Sequence, residues 1–258
     1  MKIIVWEDFI KLGIGRTEGR VPAALSIGVF DGVHIGHKKL LRQILEHSNR
    51  AEPTIVTFME NPTKLFHPHV YPGDITSLEQ KISIFEGMGI RHVILIDFSP
   101  EFSKLSGKAF FADLQNHLDL KYISLGKNFH CGMDNDTSAT DVRKMLEPNE
   151  VQVEIIDQVL YKGMPVSSTR IRELLLSGNI DEVNHMLGRP YTLCVEDCIE
   201  GPQSQIVPGQ GQYNVLIATN GAGTVNSLIE VNNGEIHFCS EEMHTQPVQE
   251  IQFLKKVR

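Results

Sequence analysis

The sequence predicts an α/β protein: a parallel sheet with helices on both faces, followed by a small antiparallel, β-barrel-like unit. Three observations carry this. Apolar runs of strand length alternate with amphipathic stretches of helix length from Ala24 to Leu187. A glycine-rich loop, Gly28-Val-Phe-Asp-Gly-Val-His-Ile-Gly-His37, sits where the first of those strands turns into a helix. After Gly188-Arg-Pro190 the pattern changes to short alternating runs separated by turn signals. The first pattern belongs to βαβ units and the last to antiparallel pairing.

Taken in order, Ala24 to Phe30 reads as a strand and Lys38 to Asn49 as a helix. Thr54 to Phe58 is a short buried strand that ends at a polar loop. Ser77 to Met88 places Leu78, Ile82 and Phe85 at helical spacing and meets a stop signal at Gly89. His92 to Asp97 is another buried strand, and Ser106 to Leu118 a helix with Phe110, Phe111, Leu114 and Leu118 inward. Tyr122 to Leu125 and Val151 to Ile156 are strands, and Thr169 to Ser177 and Asp181 to Leu187 are helical. The later strands are Tyr191 to Val195, Gln212 to Ala218, Ser227 to Val231, Glu235 to Cys239 and Val248 to Leu254. This organisation predicts two domains, 1–187 and 188–258, without internal repeats.

Hydrophobic content of 41% and charged content of 22% over 258 residues are ordinary for a soluble globular chain. A net charge of -8 without a basic run speaks against a nucleic-acid partner. The opening Met-Lys-Ile-Ile-Val-Trp-Glu-Asp meets acids too early for a signal peptide. No apolar stretch approaches the roughly 20 residues that span a bilayer. Cys131, Cys194, Cys198 and Cys239 form no zinc spacing, and free thiols in a reducing cytoplasm are expected. Cys194 and Cys198 read as strand positions.

Ligands of open parallel sheets bind beyond the carboxyl ends of the strands. The polar loops there are Gly28 to His37, Met59 to Lys64, Asp97 to Pro100 and Gly126 to Asp136. In the first, Gly32 and Gly36 allow a sharp turn or close approach to a phosphate. His34 and His37 are spaced i, i+3 and would share one face of a helical turn. Imidazoles donate to phosphoryl oxygens and gain charge near an anion. The loop therefore points to a nucleoside triphosphate. A second constellation is Val166-Ser-Ser-Thr-Arg-Ile-Arg172. Ser167, Ser168 and Thr169 precede an apolar-periodic helix, where hydroxyls, amides and the guanidiniums of Arg170 and Arg172 can hold phosphate. Taken alone, the same residues read more readily as a plain N-cap with two solvated arginines; beside the first motif, the phosphate reading is favoured. Leu125-Gly-Lys-Asn-Phe-His-Cys-Gly132 offers glycines and the two-way hydrogen bonding of Asn128. Thr57-Phe-Met-Glu-Asn-Pro62 could flank an acceptor, or be a Pro-containing connection.

Together these segments, from about Leu25 to Tyr191 and ending in L-G-R-P-Y, resemble the nucleotidyltransferase module of bacterial riboflavin kinase/FAD synthetases. The resemblance implies a Rossmann-like nucleotidyltransferase domain that transfers AMP from MgATP to FMN, giving FAD and pyrophosphate. It implies that His34 and His37 bind the triphosphate and stabilise charge at the α-phosphorus, with Asn128 positioning the reacting phosphates. Gly28, Phe30, Asp31 and Gly36 would line the nucleotide pocket. Ser167, Ser168, Thr169 and Arg172 would hold the β- and γ-phosphates. Asn61, Pro62, Gly126 and Phe129 would lie at the flavin. Magnesium is implied with ATP, and no metal ligand set is assigned.

The chain departs from the family at Met59-Glu-Asn-Pro62, where a Pro-His-Pro-like stretch is usual, and at Cys131, where an aromatic residue is expected. Residues 188–258 contain no G-F-P-T-A-N-like kinase motif, although Pro208-Gly-Gln-Gly-Gln-Tyr-Asn-Val and the final Ile251 to Arg258 resemble pieces of the kinase barrel. A shortened barrel without kinase activity is expected. The alternatives are a nucleotidyltransferase for another phosphate acceptor and a non-catalytic flavin or nucleotide binder.

Overall fold

Six strands form one wholly parallel sheet in the order β1-β4-β3-β2-β5-β8. They are β1 Lys2–Val5, β2 Val21–Ile27, β3 Glu52–Phe58, β4 His92–Ile96, β5 Leu118–Gly126 and β8 Gln152–Ile156. The computed structural model describes residues 1–14, 20–195, 205–219, 223–239 and 248–258. The central strands are buried on both faces, which is why they read as continuous apolar runs without alternation. On one face Leu25, Ile27, Val56, Ile94 and Ile123 pack with Trp6 and Phe9 of α1 (Trp6–Leu12), Phe110 and Leu114 of α5 (Gly107–His117) and Val142 of α6 (Ala139–Leu146). On the other, Tyr122 of β5 stacks on His47, just past α2 (Ile35–Glu46), with ring centroids 3.7 Å apart. Helices thus cover both faces, as expected.

Several elements of this unit are absent from the expected set. β1 and α1 together occupy only eleven residues, too few to display a period. α3 (Pro62–Phe66) is a short helix that begins inside the expected Met59 to Lys64 loop. Asn61 accepts from the Thr63 amide and Pro62 stands at the first helical position, where its missing N–H costs nothing. α6 starts from a capping box in which Ser138 and Asp141 hold each other's backbone amides. The hairpin of β6 (His130–Cys131) and β7 (Thr137–Ser138) carries the chain into it. Strand β2 stops at Ile27, short of the expected Phe30, because Phe30 adopts a left-handed φ of 52°.

The residues divide into two units, each discontinuous in sequence: 1–30, 36–66 and 82–159 in one, and 31–35, 67–81 and 160–258 in the other. Gly188, the expected boundary, is the C-cap of α8 (Ile180–Leu187) inside the second unit. Its left-handed φ of 64° ends the helix. The second unit also holds α7 (Ser168–Leu176) and the hairpin of β9 (Leu160–Tyr161) and β10 (Met164–Pro165). Its five-stranded antiparallel sheet runs β11-β15-β12-β13-β14. These strands are β11 Tyr191–Cys194, β12 Gly211–Thr219, β13 Gly223–Asn232, β14 Glu235–Phe238 and β15 Val248–Lys256. Among the described residues β11 and β14 are its two edges. Tyr191 and Tyr213 pack on Phe253, at 5.9 and 5.4 Å between ring centroids. Asn184 of α8 donates to the Phe253 carbonyl at 2.8 Å, fastening the helix to the sheet. Cys194 lies in β11 as expected, whereas Cys198 lies outside the described residues.

Ile123 is fully buried in the middle of β5. Ile123→Ala removes packing on the site-bearing strand and is expected to destabilise the first unit by about 2–5 kcal/mol. A lowered midpoint of urea denaturation checks this.

Candidate functional site

In the first unit, strand order reverses between β2 and β5: β3 and β4 follow on one side of β2, and β8 lies beyond β5. Loops leaving the carboxyl ends of such a strand pair diverge and leave a crevice. A cavity of about 710 Å³ opens there, within the size range of small-molecule sites. Gly28 and Val29 line it after β2, Phe58 at the end of β3, Phe98 after β4, and Asn128 and Phe129 after β5. Pro62 and Phe66 of α3 complete one side. Phe98 makes edge-on contacts with Phe58, Phe66 and Phe102, at 5.7, 5.5 and 5.6 Å between centroids. The wall is therefore aromatic, with the exposed Asn128 as a polar group at its margin.

The far rim is Gly132 to Asn135, a tight turn in which Gly132, Asp134 and Asn135 have φ of 82°, 55° and 57°. Asp136 locks it by accepting from the Gly107 amide at 3.0 Å and the Thr137 hydroxyl at 2.7 Å. A Cβ on Gly132 would lie 2.3 Å from the Gly107 nitrogen, so the turn requires glycine there. Cys131 also lines the cavity, and burial pushes its thiol up to about 12, well away from thiolate chemistry.

The Gly28 to His37 loop is strained at its centre. Phe30, Gly32 and Val33 have φ of 52°, 81° and 37°. A β-branched residue in this region is unusual, and such conformations persist only where the surroundings over-determine them. The Phe30 ring is buried, 5.3 Å from the His37 ring and 5.9 Å from Phe85. A Cβ on Gly28 would approach that ring to 3.3 Å, so the backbone passes close over it.

Asp31 to Ile35 count with the second unit. There the buried Asp31 carboxylate accepts from the amides of Ile75 and Thr76, at 3.0 and 3.1 Å, and pairs with the Arg172 guanidinium. The Gly32 amide donates to the Thr76 hydroxyl at 3.0 Å, and the Ser168 hydroxyl to the Asp31 carbonyl at 2.9 Å. Burial pushes the Asp31 carboxyl up, while Arg172 and the two amides pull it back. Arg172 also donates to the Gly73 carbonyl and the Tyr71 hydroxyl, at 3.0 and 3.1 Å, and stacks over the Tyr71 ring. The two motifs singled out in the sequence thus meet through Asp31 and Arg172. The spacing alone did not show this pairing, since the partners are 141 residues apart.

Ser167 caps α7 by accepting from the Arg170 amide at 3.3 Å. Arg170 turns away, donating to the carbonyls of Tyr161 and Met164 and facing Glu182 at 3.7 Å. Thr169 is exposed. Gly36 lies in the first turn of α2 and Gly126 ends β5. Asn61 is buried in its capping role and is absent from the cavity lining.

His34 and His37 do not share a helical turn. α2 starts at Ile35, so His34 stands just before it, buried, while His37 lies in the first turn. The left-handed Val33 sets this start. Burial pushes the His34 imidazole down to about 4, and the Arg189 guanidinium adds to the shift. In the ligand-free protein it is neutral at pH 7, contrary to the expected easy gain of charge. The buried Lys81 and the half-buried Arg189 were given no role from the sequence. Burial moves Lys81 down to about 8 against the pull of Asp31 and Asp74, and Arg189 down to about 10. Lys81 lies in no motif that would have marked it, whereas Arg189 stands in the L-G-R-P-Y stretch without an assigned role.

His34 has a testable consequence. Its folded value lies below the ordinary 6.5, so the unfolded chain takes up a proton that the folded one refuses. Stability should fall as pH drops from about 6.5 to about 4 and level off below, with His34 contributing about 3 kcal/mol of loss. Urea denaturation across that window should show a slope that His34→Gln reduces, and the His34 ring protons should titrate near pH 4.

Among the described residues no helix is long and apolar enough to cross a membrane. A family model for FAD synthetase matches residues 17–170, more than half of the chain. The bifunctional riboflavin kinase/FMN adenylyltransferase of Buchnera aphidicola subsp. Schizaphis graminum is 30% identical over 175 residues, 66% of this chain and 56% of that protein. The FAD synthetase of Listeria monocytogenes is 28% identical over 196 residues, 74% of this chain and 80% of that one. The chain thus spans little more than half the length of the bifunctional relative. A crystal structure of a macrolide-efflux protein from Streptococcus pneumoniae matches with a TM-score of 0.81 over 100% of this chain and 91% of that one. Its 21% identity makes this a likeness of fold alone. With the strand order, the strained Gly28 to His37 loop and the match over 17–170 in agreement, the chain belongs to the FAD synthetase family.

Proposed function

We propose that the protein transfers the adenylyl group of MgATP to the phosphate of FMN, giving FAD and pyrophosphate, and that it does not phosphorylate riboflavin. The observation that carries the flavin half is the aromatic cavity at the strand reversal. An isoalloxazine is a large flat π-system that suits edges and faces of Phe58, Phe98 and Phe129. Asn128 and the Gly126 backbone offer the polar contacts that orient it or its phosphate. Magnesium enters with the substrate as MgATP.

In this reading a phosphate oxygen of FMN attacks the α-phosphorus of ATP. The bond from that phosphorus to the α,β-bridging oxygen breaks, and pyrophosphate leaves with the electron pair. Displacement of this kind needs alignment and charge stabilisation more than a strong base. His37 and the amides opening α2 face the developing charge, as helix N-termini do for anions. His34, neutral when free, donates a hydrogen bond and gains charge as the triphosphate arrives. Gly28, Phe30, Asp31 and Gly36 shape the nucleotide pocket. The Phe30 ring and the Asp31 carboxylate act from within, by holding the loop. Ser167, Ser168, Thr169 and Arg172 serve the β- and γ-phosphates, while Pro62, beside Asn61, borders the flavin. The proposed domains, 1–187 for adenylyl transfer and 188–258 as a kinase-like remnant, follow function, whereas the compact units follow contacts. Among the described residues Cys131, Cys194 and Cys239 are in no disulfide, which suits the reducing, cytoplasmic setting of this reading.

The test is incubation of the protein with MgATP and either FMN or riboflavin, with chromatographic separation of the flavins. FAD from FMN and nothing from riboflavin is expected. FMN formed from riboflavin refutes the single activity, and no FAD from FMN refutes the acceptor. His37→Asn is expected to lower kcat by about a hundredfold, the order seen when a charge-stabilising donor is removed.

A further inference from the structure

The second unit poses a question that adenylyl transfer does not answer: what an antiparallel sheet without a kinase motif contributes. Gln205 is 4% exposed and bridges two segments. Its Nε2 lies within hydrogen-bond distance of the Ile75 carbonyl at 3.2 Å, Gln80 Oε1 at 2.9 Å and the Thr192 carbonyl at 3.1 Å. Its Oε1 accepts from the Cys194 amide at 3.0 Å. One side chain thus ties edge strand β11 to the Asp74–Ser77 segment. The backbone adds to this, since Gln205 pairs with Asp74 in a parallel bridge and the Ile206 amide donates to the Asp74 carbonyl at 3.0 Å. Tyr191, at the start of β11, donates its hydroxyl to the Ile206 carbonyl at 2.5 Å. Gln80 closes the arrangement. It exchanges hydrogen bonds with Ser77 at 3.2 Å each way and donates to the Thr192 carbonyl at 3.1 Å.

The segment held in this way is the one whose Ile75 and Thr76 amides grip Asp31, and whose Gly73 carbonyl receives Arg172. A buried carboxylate depends on the placement of its few donors, because each is worth more in a desolvated setting than in water. We propose that Gln205 is a positioning residue, through which the C-terminal sheet sets the Asp74–Ser77 amides, and with them Asp31, Arg172 and the affinity for the triphosphate. The last link rests on the functional reading above. The links up to Asp31 do not.

The full chain serves for the test. Gln205→Leu keeps much of the volume and removes every donor and acceptor. The KM for MgATP is expected to rise about tenfold, the equivalent of one well-placed buried hydrogen bond, while the KM for FMN stays within about twofold. Hydrogen exchange on the ligand-free protein should show the Ile75 and Thr76 amides exchanging about tenfold faster. Gln80→Met removes one of the Gln205 acceptors and should move both readouts the same way by a smaller factor; it replaces Gln205→Leu should that variant not fold. Unchanged exchange at Ile75 and Thr76 overturns the proposal, as does faster exchange with an unchanged KM for MgATP. An equal rise in both Michaelis constants marks general damage and overturns it too. If the unaltered protein makes no FAD from FMN, the functional reading fails, and the exchange comparison still decides whether Gln205 sets these amides.

Discussion

A carboxylate withdrawn from water governs this protein. Asp31 sits in the middle of the glycine-rich loop, and its burial would be prohibitive for an isolated charge. Two amides and a guanidinium offset that cost, and each comes from a distant segment. Once they are in place, the loop has little freedom left. The left-handed conformations of Phe30 and Val33 are tolerable because the two residues between them, Asp31 and Gly32, are fixed from outside. The conformation in turn decides where strand β2 ends, where α2 begins, and which of the two histidines is buried. Loss of Arg172 would leave a buried anion uncompensated, a defect far larger than the loss of an exposed ion pair.

The aromatic cavity has a different origin. It follows from strand order. Neighbouring connections that leave β2 and β5 in opposite directions cannot fill the space above their ends, and loops bearing phenylalanines enclose it. The rim opposite is held by one aspartate, which accepts from an amide and a hydroxyl, and by one glycine, whose missing Cβ leaves room for the Gly107 backbone. The two substrate classes proposed for this chain thus meet contrasting chemistry: aromatic surface for a ring system, and amides, hydroxyls and cations for phosphate.

Much of this was legible in the sequence. Short continuous apolar runs marked the central strands because they are buried on both faces and flanked by glycine or polar loops. Ser167 to Arg172 read as a helix start, which Ser167 confirms by capping it. What escaped the sequence was short or long-range. The four residues of β1 display no period, and α6 announced itself only through the Ser138–Asp141 capping pair. The i, i+3 spacing of His34 and His37 implied a shared helical face, but a left-handed valine cannot be read from composition, and it moved the helix start past His34. No local pattern could disclose that Asp31 and Arg172 are partners, or that Gln205 braces the amides between them. Such contacts are decided by topology.

That topology also bears on the order in which the molecule can be made. The amide donors of Asp31 lie 44 and 45 residues downstream, and its guanidinium 141 residues downstream. A chain emerging amino-terminus first can assemble the parallel strands β2 and β3 early, yet the loop between them stays unfinished until residues beyond Arg172 have left the ribosome. Until then a carboxylate destined for burial remains hydrated, and the loop keeps its alternatives open. Closure across such separations is slow compared with helix or hairpin formation. The glycine-rich loop, near the beginning of the sequence, is therefore among the last parts of the protein to acquire its shape.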